Sequence, residues 1–133
     1  MTALTTMAAA QDIPQSQVPS VVLNAFQSKY SNATDVEWEM EGDLYKVEFE
    51  IGRYDHDLWI DKNGVIKRHK EEISKSDLPA AITDKIRTQY SEYRIDDVEK
   101  IEIDGKVTYK VELDGKGGDR DVFFAPDGTI SDF

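Results

Sequence analysis

The sequence predicts an α+β protein made of two tandem copies of an α-β-β-β-β unit, each helix packed on one face of an antiparallel sheet. Three observations carry this prediction. Apolar and turn residues return along the 133-residue chain at near-constant offsets, each copy opens with helical apolar spacing, and the period then switches to two.

Val18-Pro19 returns as Leu78-Pro79, Phe26 as Ile86 and Tyr30 as Tyr90, all sixty residues later. Tyr45, Val47, Leu58, Ile60, Gly64 and Ile66 return as Tyr109, Val111, Val122, Phe124, Gly128 and Ile130, sixty-four residues later. Four extra residues therefore fall between the helix and the second strand of copy two, where hairpins absorb length at modest entropic cost. Two copies are too few for a solenoid, so a pseudo-symmetric pair is expected.

In the first segment Val18, Val22, Phe26 and Tyr30 share one helical face, as do Leu78, Ile82, Ile86 and Tyr90 in the second. Pro19 and Pro79 suit a first helical turn, where no intrahelical donor is lost, and Ser76 or Asp77 can cap the second helix. Both helices are expected to run about twelve residues.

Strands follow at Val36-Trp38-Met40, Tyr45-Val47-Phe49-Ile51 and Leu58-Ile60, with a fourth from Val65 after the turn Asp61 to Gly64. Copy two repeats them at Val98 to Ile103, Tyr109-Val111-Leu113, Val122 to Phe124 and Thr129-Ile130. The short links require antiparallel neighbours. The division expected is a signal-peptide remnant and flexible tail at 1–17, a first repeat at 18–73 and a second at 74–133, the repeats sharing one compact domain. A charged linker runs from about Lys67 to Asp77.

Met1 to Ala10 is uncharged, apolar and small, and ends in Ala8-Ala9-Ala10, the pattern of a signal-peptide end with cleavage near Ala10. A periplasmic or secreted location follows. A net charge of −11 disfavours nucleic acid and anionic membrane surfaces as partners, and no run approaches the ~20 apolar residues of a membrane span. The basic run Lys67 to Lys70 is followed at once by Glu71 and Glu72 and reads as a solvated face.

No cysteine is present, and HExxH, GxSxG, GxxxxGK and GxGxxG are all absent, so the chain is expected not to be an enzyme. His56 reads as part of a solvated loop leading into a strand. Asp61 to Gly64 does not match an EF-hand, which needs glycine at its sixth position. No cofactor is expected. Asp55, Asp57 and Asp61, or Asp119 and Asp121, are weak calcium candidates at sheet ends.

Side chains alternate along a strand, so a second set faces away from each helix. It holds Glu37, Glu39, Lys46, Glu48, Glu50, Asp57, Trp59 and Asp61 in copy one, and Lys110, Glu112, Asp114, Asp121, Phe123 and Ala125 in copy two. Trp59 and Phe123 occupy equivalent positions amid carboxylates, with Tyr54 in the adjoining loop. These rings either cover an outer mini-core or anchor a partner, for which Glu48 and Glu112 supply an acidic rim favouring a basic protein or peptide.

Val18-Pro19 followed by Phe26 and Tyr30, the Trp38-Glu39 step, Tyr45-x-Val47 and Asp61-x-Asn63-Gly64 together resemble the PepSY-like, β-lactamase-inhibitor-like family of exported Bacteroides-type proteins. The resemblance covers residues 18 to 133 and implies an exported, helix-on-sheet protein of undefined biochemical role. The expected function is a non-catalytic binding or regulatory module that recognises a protein or peptide on the open sheet face. Inhibition of an exported hydrolase or peptidase and a calcium-responsive role are the alternatives.

Overall fold

A computed structural model describes residues 11–131. The fold is α+β, with eight antiparallel strands and two helices. In chain order the elements are β1 (Gln11–Ile13), α1 (Ser20–Lys29), β2 (Thr34–Glu41), β3 (Leu44–Ile51), β4 (Tyr54–Ile60), β5 (Ile66–Ile73), α2 (Ala80–Gln89), β6 (Arg94–Ile103), β7 (Lys106–Gly115) and β8 (Gly118–Phe124). Short 3₁₀ turns at Gln15–Gln17 and Lys75–Asp77 precede the helices. The chain divides into two compact units between Arg68 and His69, inside β5. The repeat boundary expected after residue 73 lies five residues later, and Ile73 packs against the second core.

In the first unit α1 begins after Pro19, whose ring fixes φ at −55° and whose carbonyl accepts hydrogen bonds from the amides of Val22 and Leu23. The residue before a proline is held extended, which keeps Val18 outside the helix and leaves it ten residues long rather than twelve. Val22 and Phe26 face Trp38, Val47, Phe49, Leu58 and Ile60. Phe26 meets Trp38 at 5.5 Å and Phe49 at 5.0 Å, both edge-on. Such pairs add about 0.5–1.5 kcal/mol each beyond the area they bury.

The second unit builds the same layers from different volumes. Ile82 and Ile86 of α2 lie on Val98, Val111, Leu113, Val122 and Phe124. Ile86 stands where copy one has Phe26 and Phe124 stands where it has Ile60, so the large ring moves from helix to sheet, the kind of exchange that keeps a core filled. Ser76 and Asp77 belong to the 3₁₀ turn instead of capping α2; Ser74 Oγ accepts from the Ser76 amide.

β2, β3 and β4 form a meander, as do β6, β7 and β8. Met40 pairs with Tyr45, whereas its counterpart Lys100 pairs with Tyr109, so the four extra residues lengthen the β6–β7 hairpin by two on each strand. Gly64 and Gly128 follow β4 and β8 at φ of 84° and 90°, and a Cβ there would lie 3.1 Å from the Val21 carbonyl oxygen and 2.7 Å from that of Ala81. Each turn thus presses on the first turn of its helix, where only glycine fits.

Three elements differ from expectation. Gln11–Ile13, assigned to a flexible tail, pairs with Trp38 to Met40 as strand β1. The charged linker is mostly strand, because β5 continues to Ile73. The last strand of copy two is a single bridge between Phe124 and Ile130, supported by the Ser131 amide donating to the Phe123 carbonyl. The proposed signal segment lies outside the described residues.

Candidate functional site

On the face of the first sheet away from α1, cross-strand register sets carboxylates in rows. Glu37, Glu48 and Asp57 lie opposite one another across β2, β3 and β4, and Glu50 lies opposite Asp55. Like charges in such positions repel. Hydrogen bonding to Asp35 and then to Asp55 pushes the Glu50 carboxyl above its ordinary value.

The next row is mixed, with Glu39, Lys46 and Trp59 in register. The Trp59 indole reaches across β3, and its Nε1–H donates to Glu41 Oε2 on β2 at 2.7 Å. Lys46 Nζ stands 5.4 Å from the Trp59 ring centroid and 3.1 Å from Glu48 Oε1. Burial pulls the ammonium pKa down, but the Glu48 hydrogen bond and the charges of Asp57, Glu48 and Glu39 outweigh it and hold Lys46 above its ordinary value. Trp59 is thus a half-buried ring fixed at one edge and covered by a cation.

The second unit repeats the pattern with one change. Glu99, Lys110 and Phe123 are in register, Glu112 lies opposite Asp121, and Lys110 Nζ is 3.8 Å from Asp121. Ile101 and Thr108, opposite one another on the same face, are 8% and 3% exposed. They stand where copy one has Glu41 and Leu44, so the position from which Glu41 accepts the Trp59 N–H is held by Ile101 in copy two.

The structure brings Trp59 and Glu48 together around Lys46, and sets Phe123 and Glu112 around Lys110 and Asp121. Tyr54 is not with them. It opens β4, in alternation with His56, Leu58 and Ile60, on the helix-facing side. His56 itself is buried and stacks on Phe49 at 5.0 Å, in contrast to the solvated loop expected.

Asp55, Asp57 and Asp61 do not converge: Asp55 and Asp61 lie six residues apart along an extended strand, about 20 Å, too far to share an ion. Asp61 instead caps its own turn, Oδ1 accepting from the amides of Asn63 at 2.9 Å and Val65 at 3.0 Å. Asp119 lies in register with Asp114, whose hydrogen bond raises the Asp119 pKa. The carboxylates that do converge, within 4.8 Å, are Asp96, Asp97 and Glu112. Partial burial, then the charges of Asp96 and Asp97, push Glu112 upward. Two consecutive residues reach one partner because a bulge interrupts β6 between Ile95 and Val98, which alternation alone does not reveal.

At the far end of the same strands Tyr93 packs closely on Gly115, and Ser91 to Arg94 with Asp114 to Lys116 line a groove of about 420 Å³. Arg94 and Asp114, both in its lining, form a 2.8 Å ion pair. No helix among the described residues is long and apolar enough to cross a membrane.

Solved structures share this fold. A BLIP-like protein of Bacteroides fragilis is 22% identical, with 90% of this chain and 85% of that one covered at a TM-score of 0.72. A "putative periplasmic" protein of Bacteroides eggerthii is 16% identical over 86% of each chain at 0.73. A protein of Bacteroides uniformis is 19% identical over 86% of each, also at 0.73. At these identities the likeness is one of fold. No curated protein matches the chain in sequence. The family model described as "Putative beta-lactamase-inhibitor-like, PepSY-like" matches residues 4–68 and again 43–132, two overlapping matches that together span nearly the whole chain, and the chain belongs to that PepSY-like family.

Proposed function

We propose that this protein is an exported, non-catalytic recognition module that binds a protein or peptide on the sheet faces turned away from its helices, with Trp59 and Phe123 as apolar anchors. The observation that carries this reading is the fixed Trp59 ring, hydrogen-bonded to Glu41 and set among carboxylates, with Phe123 at the same position of the second copy. Large rings held in place lose little entropy on binding, and an acidic rim adds selectivity for a basic partner. Periplasmic location is supported by the Ala8-Ala9-Ala10 pattern and by the description of the Bacteroides eggerthii protein.

A second reading, inhibition of an exported hydrolase or peptidase, is favoured by the shared fold with a BLIP-like protein and rests on fold alone. The test is capture from envelope extract, read by mass spectrometry, with wild type and a Trp59→Ala/Phe123→Ala double variant whose fold is checked by circular dichroism. A protein retained by wild type and lost from the folded double variant supports the reading; identical capture by both overturns it. Activity of a captured hydrolase, measured with and without this chain, then separates plain recognition from inhibition.

A further inference from the structure

From the row Glu39, Lys46 and Trp59 we infer that the first unit carries a seat for a single cationic side chain, which Lys46 fills from within and which an arginine or lysine of a basic partner segment takes over on binding. This rests on the recognition reading above and names the chemistry of the group recognised. Lys46 shows what the position accepts: its ammonium lies over the Trp59 ring at 5.4 Å and against Glu48 at 3.1 Å, with a side chain only 17% exposed. Glu39 lies directly opposite on β2, and Trp59 directly opposite on β4.

One lysine does not neutralise the seat. The Glu39 carboxyl stays above its ordinary value through burial and repulsion from Glu48, an effect that Lys46 only partly offsets. Charge complementarity thus favours a cationic segment over an acidic or neutral one. An arginine suits the position better than Lys46 does, because a planar guanidinium stacks on an indole while its N–H fork reaches two carboxylates at once. The Glu41 hydrogen bond keeps the ring in place during the exchange.

The second copy has the elements of the same arrangement in Glu99, Lys110 and Phe123. A phenyl ring attracts a cation less strongly than an indole and has no N–H for an anchoring carboxylate. The first unit is therefore the stronger seat.

The test is titration of the full chain with a fluorescently labelled twelve-residue peptide carrying four arginines, read by anisotropy at low salt, with a citrulline version as control. Lys46→Met removes the internal occupant, and Lys29→Met, on the helix side of the same unit, makes the same change in net charge. The arginine peptide should bind Lys46→Met about three- to fivefold more tightly than wild type, the factor that corresponds to a competing cation–π contact at the lower end of its range. Lys29→Met should stay close to wild type, Trp59→Leu should bind weakly, and the citrulline peptide should show no gain on Lys46→Met.

An unchanged or weaker affinity for Lys46→Met overturns the proposal, and so does an equal gain for Lys29→Met, which would reduce the effect to net charge. If Lys46→Met fails in this way while the Trp59→Ala/Phe123→Ala variant still loses its captured protein, the recognition face stands and the cation seat falls. If neither variant changes anything, both fall.

Discussion

Gly115 is the position where the two copies exchange volume most openly. In copy one the equivalent strand end carries Ile51, with Ala33 at the other half of the pair; in copy two Gly115 faces Tyr93. A Cβ on Gly115 would lie 2.5 Å from Tyr93 Cε1 and 2.6 Å from Cδ1, well inside contact distance. Gly115→Ala must therefore displace the ring, which also meets Tyr90 edge-on at 6.0 Å. Overpacking of this kind costs about 1–3 kcal/mol.

Once Tyr93 is replaced by Ala, the same Gly115→Ala change meets no ring and should stabilise by about 0.4–1 kcal/mol through lower entropy of the unfolded chain. The sign of one substitution thus inverts with its background, a coupling of about 1.5–4 kcal/mol. A double-mutant cycle by urea denaturation measures it. Additive effects, or a destabilising Gly115→Ala in the Tyr93→Ala background, would refute the argument that the ring alone demands glycine there.

Three further outcomes follow from the geometry. Glu39, Glu50, Glu112 and Asp119 all hold their protons to a higher pH than free carboxyls, so the folded chain binds more protons than the unfolded one across that window. Stability then falls as pH rises through it, and the melting temperature should climb as the pH is lowered from neutral toward the ordinary carboxyl range. Asp127 works in the opposite sense: hydrogen bonds from Thr129 hold its pKa below the ordinary 3.8, so its contribution is lost as pH drops below that range. A melting temperature that declines steadily from neutral pH downward would contradict this balance.

Asp61→Ala removes the acceptor for two turn amides and should cost about 1 kcal/mol in urea denaturation, whereas Asp61→Asn, which keeps an oxygen there, should recover most of it. Equal losses for both would show that the carboxylate charge matters more than the cap. For export, intact-mass analysis of the protein from envelope fractions should find Gln11 as the first residue, and a chain retaining Met1 to Ala10 would count against processing.

Much of the fold is legible in sequence because two strong periods alternate in it. Val22 and Phe26, with Pro19 ahead of them, define a helix face, and Tyr45, Val47 and Phe49 define a strand face; each is found where the period puts it. β1 is not legible, since three residues carry no period and their pairing depends on a partner 25 or more residues away. A fourth strand from Val65 is legible, but the reach of β5 to Ile73 is hidden for a different reason. Its Lys67-Arg68-His69-Lys70-Glu71-Glu72 run has the composition of a linker and none of the apolar alternation that marks a half-buried strand.

The candidate site is legible to the level of a face. Alternation places Trp59, Lys46 and Glu48 together, and the repeat pairs Trp59 with Phe123. It does not show that the indole crosses a whole strand to reach Glu41, because side-chain reach adds to register. Nor does it show Asp96 and Asp97 turned toward one glutamate, because a bulge shifts the alternation by one residue.

The three-residue strand β1 also sets an order of events during folding. β2, β3 and β4 join through two-residue turns, and hairpins of that kind close in microseconds. β1 can dock only after the chain from Ile13 to Trp38 has closed around α1, a longer loop with a larger entropic cost and only three residue pairs to offset it. Until that happens, the outer edge of β2 presents unpaired amides and carbonyls to any extended segment nearby. This late stage is when a neighbouring chain's strand competes for the same edge, and it ends when Gln11, Asp12 and Ile13 pair with Met40, Glu39 and Trp38.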